Sequence, residues 1–370
     1  MRFGIFLRHY FPYGGLQRDA LRLARAAQDL GHSPVVVVSA WEGSKPNEMD
    51  IRIIHARGYS NHQKESFFAN RCRDIMFSEK LDTGIGFSRI RGVPFHFCGD
   101  FCFKEKFEQS KPQWMKWLPR YRYFLQTEKL LFDNPSKTHI FFLAESERKN
   151  FEKHYRISSG RHSLLPPWLK KPDLNQEIIE TSRKHLLEPH GIPGNTPFLL
   201  FVGSDFHRKG LDLAIQALPQ LRRPELHLLV CGQDDFKPYE RISQELGVAD
   251  RIHYLGPQDN IPAWMRCAEC LIHPARAEPA GMVLIEALTH HLPVVCSKNC
   301  GYATHVQEAG CYPVSKDAAP ARIAKSLDRH LEERNLLKQK IEEWLNAEER
   351  YQTAEIILEK MAKVTGEHER

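Results

Sequence analysis

The chain has 370 residues, 42% of them hydrophobic and 26% charged. That composition excludes a mostly disordered or collagen-like polymer, and the length suits two domains of roughly 100–200 residues each. The formal charge of +6 is unevenly spread: residues 1–168 hold 27 basic and 17 acidic side chains (+10), and residues 169–370 hold 25 and 29 (−4). Apolar runs such as Ile140 to Ala144 fall far short of the roughly 18–20 residues that cross a bilayer. Arg8 arrives too early for a secretory leader, so a cytoplasmic protein is expected. The basic N-terminal half implies an anionic partner: nucleic acid, an anionic membrane or a phosphorylated substrate. No RNA- or DNA-binding motif accompanies the charge, which disfavours nucleic acid.

In chain order, Phe3 to Leu7 reads as a short strand, followed by a Gly14-Gly15 loop. Leu16, Ala20, Leu23, Ala24, Ala27 and Leu30 then recur at helical spacing, and Gly31 suits the helix C-cap. The β-branched run Val35 to Val38 reads as a buried parallel strand. Further strands are expected near 51–55, 83–86, 95–97, 140–143 and 163–165. The prolines of Leu165-Pro166-Pro167-Trp168 mark a boundary, because they continue neither helix nor strand. A second series restarts at Phe198 to Val202. It continues with strands at 226–231, 252–255, 270–273 and 293–296, separated by helices from about Leu211, Pro238, Pro262 and Gly281. The tail from about Ala319 to Val364 reads as charged helix. Strands alternating with helices predict an α/β fold of two Rossmann-like doubly wound domains, with ligands bound at the carboxyl ends of the strands in the cleft between them.

Nine cysteines in a chain expected to be cytoplasmic read as reduced thiols. Cys267-x-x-Cys270 has no second Cys-x-x-Cys to complete a zinc site, so buried apolar packing is the simpler reading.

Three stretches carry chemistry. In Glu278-Pro-Ala-Gly-Met-Val-Leu-Ile-Glu286, two acids stand eight positions apart around a helix start. Two acceptors near a helix N-terminus suit a sugar nucleotide, while a solvated acid and a dipole-complementing acid would explain the same residues. In Gly203-Ser-Asp-Phe-His-Arg208-Lys209-Gly210, two adjacent cations at a strand-to-helix junction point to a diphosphate. Paired glycines, Gly14 and Gly15, at the first strand-to-helix turn leave room for a phosphate or sugar, though loops use glycine freely. The lack of a Gly-x-Gly-x-x-Gly motif weakens a nicotinamide dehydrogenase reading.

Together, Glu278-x7-Glu286 with Ala287-Leu288 and Leu292-Pro-Val-Val295 resembles the donor-site signature of retaining GT-B glycosyltransferases of family four. Tyr10-Phe-Pro-Tyr-Gly-Gly-Leu-Gln-Arg-Asp19, Trp41-Glu-Gly43, His273-Pro-Ala275 and Cys300-Gly-Tyr-Ala303 are similar to the lipopolysaccharide core glucosyltransferase I group. The resemblance implies a GT-B fold with an acceptor-binding domain over 1–168, a donor-binding domain over 169–350, and a C-terminal helix of about 351–370 that packs back on the first domain. It implies transfer of glucose from UDP-glucose, with retention, to a heptose of a lipid-linked lipopolysaccharide inner core, without a metal or other cofactor. By the same resemblance, Arg208 and Lys209 neutralise the donor diphosphate. Glu286 holds the ribose, and Glu278 with Ala280, Gly281 and Met282 holds the hexose. Gly14, Gly15 and Gly203 border the donor, Asp19 stands at the active-site end of the first helix, and Asp100 faces the transferred sugar or the acceptor. Trp168, Pro279 and His291 depart from the family pattern; His291 replaces a glycine helix cap.

Lys111 to Phe132 carries five bases and one acid, Glu128, with Trp114, Trp117, Tyr121, Phe124 and Leu125 at helical spacing. Bases beside interfacial aromatics suit an anionic membrane, and an amphipathic helix packed on the core with a basic outer face would look the same. Pro119 predicts a break within the segment. The family resemblance favours peripheral association with the inner face of the inner membrane through Trp114, Lys116, Trp117, Arg120 and Arg122. Alternatives are another UDP-sugar hexosyltransferase or an epimerase of the same architecture, and a degenerate membrane-binding protein.

Overall fold

The computed structural model describes residues 1–12, 14–169, 183–347 and 351–368. Tyr13 of the opening motif, residues 170–182 after the proline boundary and residues 348–350 of the tail lie outside the described residues. The chain divides into one unit of Met1–Pro166 with Gln352–Arg370 and a second of Pro167–Tyr351.

The first unit contains β1 (Arg2–Tyr10), α1 (Gly15–Asp29), β2 (Ser33–Trp41), β3 (Asp50–Ile53), α2 (Asn61–Ser78), β4 (Thr83–Gly86), β5 (Phe95–Cys98), α3 (Phe103–Ser110), α4 (Pro119–Phe132), β6 (His139–Phe142), α5 (Glu145–Glu152) and β7 (His162–Leu164). Its seven strands are parallel, in the order β3-β2-β1-β4-β5-β6-β7. The order reverses between β1 and β4, the switch point at which doubly wound sheets bind ligands. Val35 and Val37 of β2 pack with Phe6, Phe68 and Cys72 in one core cluster, and fully burying such a side chain is worth about 1.5–3 kcal/mol.

Helix α1 ends as its sequence predicts. Gly31 takes φ 77°, its N–H donates to Gln28 O at 2.9 Å, and the His32 N–H donates to Ala27 O at 2.8 Å. These are the two hydrogen bonds of a left-handed helix cap. Helix α2 was not expected, because its buried residues Phe68, Ala69, Cys72 and Ile75 are confined to its middle turns. Its start was signalled: Gln63 Oε1 accepts from Ser60 N at 3.1 Å, half of a capping box.

The second unit contains α6 (Arg183–Leu187), β8 (Phe198–Val202), α7 (Phe206–Lys209), α8 (Leu211–Ala217), β9 (His227–Cys231), α9 (Lys237–Glu245), β10 (Ile252–Gly256), α10 (Ile261–Cys267), β11 (Cys270–His273), α11 (Met282–Thr289), β12 (Val294–Cys296), α12 (Ala303–Glu308), α13 (Pro320–Glu332) and α14 (Arg334–Leu345). Its five parallel strands run β10-β9-β8-β11-β12, with the switch point between β8 and β11. Helix α11 closes like α1 but on a histidine: His291 takes φ 53° and Leu292 N donates to Ala287 O at 3.0 Å. The last helix, α15 (Thr353–His368), returns to the first unit and packs on α1, where Thr353 Oγ1 donates to Pro166 O at 3.3 Å.

All nine cysteines are free thiols, eight of them buried and Cys267 partly so. Burial pushes the Cys231 thiol up to about 12, as expected of a packing residue rather than a nucleophile.

Candidate active site

The second unit gathers its charged residues at the β8–β11 switch point. After β8, Gly203 takes φ 133°, and a Cβ there would lie 2.3 Å from Lys209 Nζ, so glycine lets the lysine fold back over the strand end. Asp205, itself at φ 61°, leads into α7, and Asp234 from the loop after β9 accepts the Phe206 N–H at 2.7 Å. Arg208 and Lys209 are the last two residues of that short helix.

Glu278 stands outside α11, in the loop after β11. It is held by a bridge to Cys300: Glu278 N donates to Asn299 O at 3.3 Å, and Gly301 N donates to Glu278 O at 2.9 Å. As the sequence predicts, Glu278 precedes the helix and Glu286 lies within it, in the middle of α11 and half-buried. Ala280, Gly281 and Met282 form the turn into α11. Gly281 takes φ 96°, and a Cβ there would stand 3.4 Å from Glu278 Cγ.

Three nitrogen-bearing side chains converge on Glu278. Arg208 Nη1 donates to its Oε2 at 3.0 Å and to Ala277 O at 2.9 Å. Lys209 Nζ and His273 Nε2 each stand 3.7 Å from the same oxygen. Burial works to raise the Glu278 carboxyl, but His273, Lys209 and Arg208 outweigh it and bring its pKa down to about 2. Burial lowers the pKa of Lys209 and of His273 against the pull of Glu278. The site thus holds a firmly ionised carboxylate beside a guanidinium and an ammonium in a half-closed setting, where charge interactions are stronger than in water. Such an arrangement can bind a diphosphate through its cations and polyhydroxy groups through its acid.

Sequence reading missed the brace behind this cluster. Arg276 grips Asp212 through two hydrogen bonds, at 2.8 and 2.6 Å. It also donates to His207 O at 2.7 Å, while its N–H donates to Arg208 O at 2.8 Å. Only the Asp212–Arg276 charge pairing, 64 positions apart, could have signalled it.

In the first unit, Gly14 is tightly packed against Gln17 and Phe11, whereas a Cβ on Gly15 would meet nothing within 4 Å. Asp19 lies in the second turn of α1, but it is almost fully buried and accepts from Arg22 Nη1 at 3.1 Å. Asp100 is exposed on the loop after β5. Two ion pairs that were not anticipated stand at the same edge of this sheet. Arg8 Nε meets Glu65 at 3.1 Å, and Arg89 Nη2 meets Glu128 at 3.2 Å.

The basic segment divides at Pro119, which begins α4. Before it, Trp114, Lys116 and Trp117 lie on an exposed turn, with the two tryptophans 64% and 74% exposed. The break that Pro119 predicts splits the aromatics: Tyr121 and Phe124, beyond it, turn inward against Phe103. Arg120 and Arg122 stay exposed. Lys104, Lys116, Trp117, Arg122 and Lys129 line an open groove of about 670 Å³.

Residues 182–346 match the family model for glycosyl transferases group 1. The chain is 33% identical over 308 residues to the lipopolysaccharide glucosyltransferase WaaG of Escherichia coli (strain K12), covering 82% of each chain. It is similar to the crystal structure of WaaG, a glycosyltransferase involved in lipopolysaccharide biosynthesis, with a TM-score of 0.86 and 29% identity over 97% of this chain and 99% of that one. Anabaena Alr3699/HepE, solved with UDP-glucose, shares the fold at a TM-score of 0.73 and 15% identity, over 99% of this chain and 100% of that one. With a charge cluster at the switch point of a GT-B fold and this extent of identity, the chain belongs to the group 1 glycosyltransferases, in the family that includes the lipopolysaccharide glucosyltransferase WaaG.

Proposed function

We propose that the protein is a retaining glucosyltransferase that moves glucose from UDP-glucose to a heptose of the lipopolysaccharide inner core. The observation that carries the reading is the convergence of Arg208, Lys209 and His273 on Glu278 at the carboxyl end of β8 and β11. Arg208 and Lys209 neutralise the donor diphosphate and the charge that grows on it as the sugar departs, in place of a metal ion. Stabilisation of that kind is commonly the largest part of such a barrier. Glu278 accepts from hexose hydroxyls, with the turn of Ala280, Gly281 and Met282 beside it, and Glu286 accepts from the ribose. Gly203 keeps the strand end open for Lys209.

The bond from the sugar carbon to phosphate oxygen breaks on the face where the acceptor oxygen bonds. The acceptor proton passes to the leaving phosphate, so no enzymatic nucleophile is needed. The first unit receives the acceptor near Asp100, with Asp19 supporting α1 from inside. The exposed Trp114, Lys116, Trp117, Arg120 and Arg122 rest on the anionic cytoplasmic face of the inner membrane, where a lipid-linked acceptor is found. The test is a screen of labelled nucleotide sugars for transfer to truncated-core lipopolysaccharide. Transfer from UDP-glucose with an α product is expected; transfer from no UDP-hexose, or a β product, would overturn the reading.

A further inference from the structure

Glu128 is the lone acid of the basic segment, and it does not face solvent with its neighbours. It is fully buried, and the whole of its carboxylate is engaged. Oε1 accepts from Phe103 N at 2.7 Å, and Oε2 accepts from Lys104 N at 2.9 Å and from the Tyr155 hydroxyl at 2.8 Å. The Cys102 thiol points to the same oxygen at 3.7 Å. Arg89, from the loop after β4, meets Oε1 at 3.2 Å and donates to Phe101 O at 2.5 Å. The backbone from Phe101 to Lys104, directly after Asp100, is thus held from two sides. One side is a cation from the β4 loop. The other is a carboxylate reaching across from α4 to the two leading N–H groups of α3, which lack partners within their own helix.

Isolated buried ion pairs contribute little to stability, and breaking one is costly. Here the pair grips backbone rather than side chains, so what it determines is the path of one loop. That loop leaves the carboxyl end of β5, the edge at which parallel sheets take their ligands. We propose that Glu128, with Arg89, is a positioning residue for acceptor binding: it sets the loop that presents Asp100, and it ties that loop to the helix whose outer face is basic. The inference rests on the reading of the Asp100 edge as the acceptor side.

The test measures KM for acceptor and for UDP-glucose separately. Wild-type transfer to truncated core lipopolysaccharide comes first, since its absence defeats the acceptor reading itself and not the clamp. Given transfer, Glu128→Gln is expected to raise acceptor KM about tenfold and to leave donor KM within about twofold. Arg89→Lys keeps the charge but loses the planar guanidinium whose Nη2 reaches both Glu128 and Phe101 O, so it should move acceptor KM the same way. Val37→Ala, a change in the separate core cluster of the same unit, is the control for general softening. An unchanged acceptor KM in folded Glu128→Gln and Arg89→Lys, or an equal rise in Val37→Ala, overturns the proposal. Hydrogen exchange in the wild type reads the clamp without any variant. The Phe103 and Lys104 amides should be as protected as the interior of α1, and exchange at exposed-loop rates also overturns it.

Discussion

Arg208 and Glu278 lie 70 positions apart and meet at 3.0 Å, with the guanidinium also bonded to Ala277 O and to Asp205. Neither partner sits in a regular helix long enough to be placed by periodicity. Both hang from the ends of adjacent strands, so the pairing of β8 with β11 brings the cation and the acid together.

Lys209 is the cation most dependent on this arrangement, because its ammonium is folded into a half-closed site 3.7 Å from Glu278. Lys209→Ala is expected to weaken UDP binding about tenfold and to lower kcat about 100-fold or more, the range seen when one stabilising group is removed from a transition state. Calorimetric UDP titration and initial rates check it. Unchanged UDP affinity together with unchanged transfer would remove Lys209 from the site.

Glu147, at the start of α5, is mostly buried. Its Oε1 accepts from Asn150 at 3.1 Å, and Oε2 is without a hydrogen-bond partner among the described residues. Burial pushes its pKa from 4.5 up to about 7. A raised carboxyl pKa stabilises the fold most below pH 4.5, and that contribution is lost as pH rises towards 7. Glu147→Gln should therefore flatten the decline in stability between pH 4.5 and 7, by an amount on the order of 3 kcal/mol. Urea melts across that range read it, and parallel wild-type and variant curves would contradict it.

His291 holds a left-handed conformation that glycine adopts without strain. His291→Gly is expected to stabilise the protein by about 0.5–1 kcal/mol, and Gly31→Ala to destabilise it by about as much, since both close a helix in the same way. Differential scanning calorimetry of the two variants checks the opposite signs.

Flotation with vesicles containing phosphatidylglycerol tests the basic segment. Neutralising Lys116, Arg120 and Arg122 together should lower the vesicle partition constant about 100-fold, at about 1 kcal/mol per cation near an anionic surface. Trp114→Ala with Trp117→Ala should reduce it further. Equal flotation of the wild type and the charge variant would argue against membrane docking through this face.

Most strands could be read from the sequence, because a parallel strand buried on both faces must be continuously apolar. Val35–Val38, Phe198–Val202 and Cys270–His273 show this plainly. Helix α2 was missed because much of its length is polar and only partly buried, so the apolar period is confined to its middle turns. Pro119 signalled the break between the exposed tryptophans and α4, but spacing alone could not show that Tyr121 and Phe124 turn inward, because their partner Phe103 lies on another helix.

The uneven charge, the alternation of strand and helix, and the Glu278-x7-Glu286 and Arg208-Lys209 motifs are all properties of the sequence. Local periodicity and residue chemistry determine them without reference to distant chain. Strand order is different, since parallel neighbours are joined by long crossovers and their adjacency leaves no local trace. Tertiary structure alone therefore decided that Glu278 would face Arg208, Lys209 and His273, and that Arg276 would brace the loop behind them. It also decided that Glu128 would turn away from its basic neighbours. A buried carboxylate needs several donors, and the open backbone amides of α3, Tyr155 and Arg89 could supply them only from elsewhere in the fold.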